Sequence, residues 1–232
     1  MRLYQYKEGF RYTSDTIFLW DFASRFIKKG DTLEVGGGCG ILGLLLARDF
    51  KINLTIVEKE PKMAKLCTMN AKENSIDANV RNIDFLDFSG EKYDYIVSNP
   101  PYYPDRVVKS QNSPLISARY APSLPLDVFL QKAKKLLKPQ GEIIFCYDAS
   151  ESCLVINEIS KLKGATLTHL MFVHSKLQKP SKLAFFRVKN SSKAHLQILP
   201  PLIVMDENNG YTNEALQIFG AANTDSIDID PI

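Results

Sequence analysis

The sequence predicts an α/β fold, with a mostly parallel sheet of about seven strands and helices on both faces. Three observations carry this. Short β-branched runs alternate with longer helical stretches, the pattern of βαβ units. A glycine cluster, Gly36-Gly37-Gly38-Cys39-Gly40, joins the first such run to the first helix. Asn99-Pro100-Pro101-Tyr102 stops a later strand abruptly, at the end where parallel sheets place their ligands.

Thr32 to Val35 reads as the first strand, and Ile41 to Phe50 as a helix packing through Leu42, Leu45 and Leu46. Asn53 to Glu58 is the second strand, and Pro61 opens a helix where its missing N–H does no harm. Asn79 to Ile83 and Tyr93 to Ser98 are the third and fourth strands. A loop of about twenty residues follows, Tyr103 to Pro122, a length that inside compact domains is usually functional or disordered. Then come a helix from Leu126 to Leu137, a turn at Lys138-Pro139-Gln140-Gly141, a fifth strand from Glu142 to Tyr147 and a helix near Glu151 to Leu162. Strands around Thr166 to Val173 and Leu183 to Val188 complete the sheet. After Ser191 the pattern loosens, with a turn at Asn208-Asn209-Gly210 and a short helix near Asn213 to Phe219. The expected organisation is one domain over residues 1–190, whose segment 1–30 packs near the ligand pocket. A strand and helix extension covers 191–220, and 221–232 forms a mobile acidic tail.

With 45% hydrophobic and 24% charged residues, the composition is that of a soluble globular protein. The longest apolar run, Ile41 to Ala47, falls far short of the ~20 residues of a membrane span, and the N-terminus shows no apolar signal region. Export and membrane insertion are excluded on this reading, and a cytoplasmic protein is expected. Cys39, Cys67, Cys146 and Cys153 contain no C-x-x-C pair and make no metal spacing with His169, His174 and His195. They read as small core residues in a reducing compartment, with no metal. The net charge of +3 hides an asymmetry: residues 1–101 balance, residues 102–193 carry 15 Lys/Arg against 6 Asp/Glu, and residues 194–232 carry only acids. A basic middle fits a polyanion partner, or an ordinary solvated surface.

The glycine loop supports two ligand classes. Its glycines allow a tight turn and close backbone approach, and the helix N-terminus behind them suits an anionic group. Gly38-Cys39-Gly40-Ile41-Leu42-Gly43 matches G-x-G-x-x-G with Glu58 twenty residues past Gly38, the dinucleotide pattern. Glu34, Gly36, Gly38 and Gly40 match acid-x-G-x-G-x-G, as in S-adenosylmethionine (SAM) methyltransferases. Both readings put Glu58 on ribose hydroxyls. Glu34 favours SAM, because an acid there suits an ammonium-bearing cofactor better than a pyrophosphate. Asn99-Pro100-Pro101-Tyr102 adds an amide acceptor, two rigid prolines and an aromatic face. The Asn99 side-chain oxygen and the Pro100 carbonyl suit acceptance of both hydrogens of a planar amine, and Tyr102 suits stacking on the ring that bears it. The bland alternative is a turn that merely ends a strand.

Taken together, Glu34 to Gly40, Glu58, Ile83-Asp84-Phe85 and Asn99 to Tyr102 resemble the motifs of class I, Rossmann-like, amino-group SAM methyltransferases. More narrowly, the chain resembles the bacterial tRNA(Val) adenine-37 N6-methyltransferases. Tyr12 to Leu19 is similar to that family's segment before the glycine loop, Asn99 to Tyr103 to its Asn-Pro-Pro-Tyr-Tyr, and Ala118-Arg119-Tyr120 with Leu124-Pro125-Leu126 to its following loop. Asp206 to Glu214 is similar to its closing segment. The resemblance implies a SAM cofactor held by Asp15, Glu34, Gly36, Gly38, Gly40, Glu58, Asp84 and Asn99. It implies a catalytic turn of Asn99, Pro100, Pro101 and Tyr102, acting on adenine in tRNA. Tyr102, Arg106, Lys109 and Arg119 are the candidate tRNA contacts, the three basic residues as a phosphate rim. A monomer is expected. The residues from Ala221 onward match nothing in the family's pattern.

Other amino-group substrates share the Asn-Pro-Pro-Tyr chemistry: ribosomal guanine N2, DNA adenine N6 and the release-factor glutamine. The last belongs to a design with a helical domain before the SAM domain, and 33 residues before Glu34 are too few for one. An NAD-dependent dehydrogenase would explain Gly38 to Gly43 but leaves Asn99 to Tyr102 without a task.

Overall fold

A computed structural model describes residues 1–9, 11–100 and 124–230. Pro101, Tyr102, Arg106, Lys109, Arg119 and the 103–122 loop lie outside the described residues.

In chain order the strands are β1 (Arg2–Tyr6), β2 (Lys29–Val35), β3 (Lys51–Glu58), β4 (Ala78–Asn82), β5 (Tyr93–Ser98), β6 (Leu137–Asp148), β7 (Ala165–His174), β8 (Ser181–Asn190), β9 (Gln197–Ile198), β10 (Leu202–Ile203) and β11 (Asp225–Ile229). The helices are α1 (Ser14–Ser24), α2 (Ile41–Asp49), α3 (Pro61–Glu73), α4 (Leu126–Leu136), α5 (Ser152–Ser160) and α6 (Asn213–Ala222). Among the described residues the main sheet has nine strands in the order β10-β7-β8-β6-β5-β2-β3-β4, with β9 also on the outer edge of β7. It is parallel except for β8, which runs antiparallel to both β6 and β7.

The seven expected strands are all present, and two short ones enlarge the sheet. β9 pairs with His169 and Leu170, and β10 with Val173 and His174, along one edge of β7. Pro200 and Pro201 lie between them. Proline has no N–H for the ladder, so an added edge strand is split in two. The expected turn at Lys138 to Gly141 is instead part of β6. Gln140 takes a positive φ of 65° there, and the register against β5 shifts between Tyr93 and Tyr95.

The largest correction concerns the tail. Residues 225–229 form β11, paired in parallel register with β1 from Arg2↔Asp225 to Tyr6↔Ile229. An acidic, small-residue segment has little apolar area with which to order itself. Here it borrows order from β1 through backbone pairing and through ion pairs from Arg11 to Asp228 (2.7 Å) and from Lys7 to Asp230 (3.0 Å).

Strand alternation splits the core into two layers. Ile144, Cys146 and Phe185 face α1, α2, α3 and α6, whereas Ile143, Phe145 and Phe186 face α4 and α5. α1 is apolar nearly all round, with Thr16 to Trp20, Phe22 and Ala23 buried. It lies over β6 and β8 and touches α2 and α6, so its first turn stands beside the end of β5.

Candidate active site

β2 delivers the chain into a loop held under β3. Gly36 and Gly37 N–H donate to the Val57 carbonyl at 2.9 and 3.3 Å, and Gly40 N–H closes a turn on the Gly37 carbonyl at 2.7 Å. Gly36, Gly38 and Gly40 have φ of 69°, 56° and 85°, the left-handed region that side chains resist. A Cβ at Gly37 would sit 2.3 Å from the Ile56 side chain, so the fold needs glycine there for packing. A Cβ at Gly36 would meet nothing within 4 Å among the described residues. That open space faces the ligand side of the loop.

Carboxylates brace the loop from both strands. Glu34, 3% exposed, accepts the Gly43 N–H at 3.0 Å at the start of α2. Burial pushes its carboxyl up to about 8, with the Gly43 bond opposing and Glu58 adding to the rise. Glu58 accepts the Gly38 N–H at 2.9 Å and the Glu60 N–H at 2.8 Å. Burial raises its carboxyl too, against those two bonds. Asp84 follows β4 beside it, for Ile83 N–H donates to the Glu58 carbonyl (3.2 Å) and Leu86 N–H to Asp84 Oδ1 (2.8 Å).

At the end of β5, Asn99 is gripped on both sides. Its Nδ2 donates to Thr16 Oγ1 at 2.6 Å, and its Oδ1 accepts from the Cys146 thiol at 2.8 Å. Pro100 beside it is buried. Asp15, in the first turn of α1, is half-buried. Desolvation raises its carboxyl, offset by a side-chain bond from Thr13 and by the charge of Lys182. Tyr12, Thr16, Glu34, Gly36, Cys39 and Asn99 line one small cavity. The structure thus brings Asp15, Glu34, Gly36, Gly38, Gly40, Glu58, Asp84, Asn99 and Pro100 to one end of the sheet.

Sequence reasoning missed Tyr12, Thr16 and Cys146 as individual site residues. Tyr12 and Thr16 lie in the segment whose resemblance was noted, so a signal existed. Cys146 gave none: its thiol matters only because strand alternation turns it toward α1. Cys67 likewise donates its thiol to the Gly38 carbonyl at 2.9 Å, a brace for the loop. Among the described residues no group of His, Cys, Asp and Glu is arranged to hold a metal, and no helix is long and apolar enough to cross a membrane.

The donor set fits SAM. An open cradle at Gly36 suits its amino-acid end, and paired carboxylates at the ends of β3 and β4 suit a ribose diol and an adenine amine. Comparison with known proteins agrees. The methyltransferase small domain family matches residues 14–156. A tRNA1(Val) (adenine(37)-N6)-methyltransferase of Aliivibrio fischeri is 29% identical over 191 residues, covering 80% of this chain and 79% of that one. A protein from Agrobacterium tumefaciens, described as a predicted O-methyltransferase, superposes with a TM-score of 0.68 at 13% identity, over 92% of this chain and 99% of that one. A Thermus thermophilus 16S rRNA N2 G1207 methyltransferase, solved with AdoMet and guanosine, gives 0.54 at 17% identity, over 78% and 44%.

The fold is that of the class I SAM-dependent methyltransferases. Within them, the chain belongs to the methyltransferase small domain family.

Proposed function

We propose that this protein transfers the methyl group of SAM to the exocyclic N6 amine of adenine-37 in tRNA, beside the anticodon. The observation that carries the reading is Asn99, fixed at the end of β5 by Thr16 at 2.6 Å and Cys146 at 2.8 Å, next to the glycine cradle. The curated relative from Aliivibrio fischeri, similar over 80% of the chain, supports the substrate.

SAM supplies an electrophilic methyl on a sulfonium. The protein's part is to present the amine. An amide oxygen accepts two hydrogen bonds, so the Cys146 thiol and a substrate N–H can share Asn99 Oδ1. Withdrawing hydrogen-bond density from the amine hydrogens favours a tetrahedral nitrogen whose lone pair is available. The amine proton then leaves to solvent once nitrogen carries the methyl, and no strong base is needed. Pro100 fixes its own φ, and Pro101 and Tyr102 follow it in the sequence. An anticodon-loop adenine is single-stranded, so turning it into the site costs less than extruding it from a duplex. The protein acts alone on this reading, as a monomer in the cytoplasm.

The test is transfer from isotopically labelled SAM to tRNA from cells lacking this gene, followed by digestion to nucleosides and mass spectrometry. Labelled N6-methyladenosine is expected. Label in another nucleoside would move the target, and SAM binding without label in tRNA would end the tRNA reading.

A further inference from the structure

The excess positive charge of the middle of the chain is not spread evenly. Lys138 is paired with Asp31 and Asp94, Arg187 and Lys189 with Glu142, and Lys161 with Glu158. Among the described residues Lys132, Lys134, Lys135, Lys163 and Lys193 form no ion pair, and neither do Lys176, Lys179 and Lys182, which stand apart by lining one groove. Lys176 and Lys179 stand on the connection between β7 and β8 and Lys182 at the start of β8, and among the described residues no carboxylate forms an ion pair with any of them. Lys176 donates only to the Glu207 backbone carbonyl, at 3.1 Å. Together with Ser175 and Met205 they line a groove of about 490 Å³, and Leu177 beside them is 67% exposed.

The strand registers place this groove. β8 opposes β6 with Leu183 across from Asp148, and β5 runs parallel to β6 with Ser98 across from Phe145. The β7–β8 connection therefore lies at the same end of the sheet as Asn99, two strands away in the order β8-β6-β5. α1 bridges the gap, because Thr16 holds Asn99 and the adjacent Asp15 feels the charge of Lys182. The basic groove thus lies at the end of the sheet that holds the methyl-transfer site.

We infer that the Lys176–Lys179–Lys182 groove, on the β7–β8 connection and the start of β8, docks the sugar–phosphate backbone of the tRNA that presents its adenine to Asn99. This rests on the tRNA reading above and names the surface that reading needs. A polyanion is favoured over a protein partner by charge complementarity: three ammonium groups that form no ion pair among the described residues concentrate attraction for phosphates. They contribute no base readout, so they set affinity and orientation rather than sequence preference.

The experiment compares the parent with Lys176→Ala/Lys179→Ala/Lys182→Ala, with the matching triple arginine variant, and with Lys28→Ala/Lys29→Ala/Lys51→Ala, which removes equal charge at the opposite end of the sheet. SAM affinity, kcat and the KM for tRNA are measured at several salt concentrations. The hairpin alanine variant is expected to bind SAM normally and to raise the KM for tRNA at least tenfold. Its dependence of log affinity on log salt should flatten by about 2–3, three phosphate contacts at roughly 0.7–0.9 each. The arginine variant and the opposite-end variant should keep parental KM. Because Lys176 also holds the Glu207 carbonyl, Lys179→Ala/Lys182→Ala serves as a second variant and should show a smaller loss of the same kind. A hairpin alanine variant with parental KM and salt slope, in a protein that does methylate tRNA, overturns the groove alone. A parent that transfers no methyl to tRNA overturns the substrate reading, and the groove's partner with it.

Discussion

Replacing Asn70 with alanine should cost about 4 kcal/mol of stability and loosen the SAM site at the same time. Asn70 is fully buried on α3 and ties three parts of the chain together. Its Oδ1 accepts the Tyr4 N–H at 2.7 Å, and its Nδ2 donates to the Tyr4 carbonyl at 3.1 Å and the Cys39 carbonyl at 2.9 Å. Alanine leaves all three partners without this one. A buried polar group stripped of its partner costs about 1–3 kcal/mol. The Cys39 carbonyl is buried and takes about 2 of that range, whereas the two Tyr4 groups are half-buried, within reach of water, and take about 1 each. For a domain of this size, 4 kcal/mol corresponds to a Tm lower by about 8–16 °C. Urea unfolding monitored by circular dichroism gives the free energy, and titration with SAM gives the affinity, which should weaken because Cys39 belongs to the glycine loop. A loss below about 1 kcal/mol would refute the reasoning, for it would mean the three bonds are replaced at no cost.

Other changes separate folding from binding. Gly36→Ala should lower stability by only about 1 kcal/mol, the strain of a side chain at positive φ, yet weaken SAM binding at least tenfold in calorimetric titration, since its Cβ would enter the open cradle; unchanged affinity would place the cofactor elsewhere. Glu34 has its folded carboxyl raised to about 8 against an ordinary 4.5, so its contribution to stability is fully present below pH 4.5 and is lost as pH rises through 8. Glu34→Gln should therefore lose less stability than the parent between pH 5 and 8, and parallel pH profiles in urea unfolding would contradict this. Ending the chain after Asn223 removes β11 with the Arg11–Asp228 pair and the Tyr12–Ser226 bond at 2.8 Å. A Tm lower by about 4–8 °C, from about 2 kcal/mol, should accompany weaker SAM binding, because Tyr12 lines the cavity; a truncated protein equal to the parent in both would deny the strand its role.

Much of this architecture was legible because local signals coincided with tertiary demands. Tyr93 to Ser98 is bounded by the structure as the sequence bounds it, since Asn99-Pro100 cannot continue a strand. The glycine loop was legible for a similar reason: its left-handed dihedrals at Gly36, Gly38 and Gly40 favour glycine. α1 was not, because a helix buried on nearly every side has no polar stripe to give it a period. β11 was hidden by its own composition, as Asp225-Ser226-Ile227-Asp228-Ile229 reads as solvated chain until β1 is beside it. β9 and β10 were hidden by Pro200 and Pro201. Within the site, the acids and glycines stood out by spacing, whereas Thr16, Cys146 and Asn70 act across 83, 47 and 66 residues of separation on Asn99, Asn99 and Tyr4 respectively. Pairings at that range are not written in a single sequence, even where, as at Thr16, the segment itself resembles the family's.

The most direct test of the central claim is fragment mapping by mass spectrometry after single-turnover transfer to unmodified tRNA, run with the parent and with Asn99→Ala. One labelled methyl is expected on the fragment containing adenine-37 with the parent, and none with Asn99→Ala although that variant binds SAM within a few-fold of normal. Label at any other position, or transfer by Asn99→Ala at the parental rate, would contradict that claim.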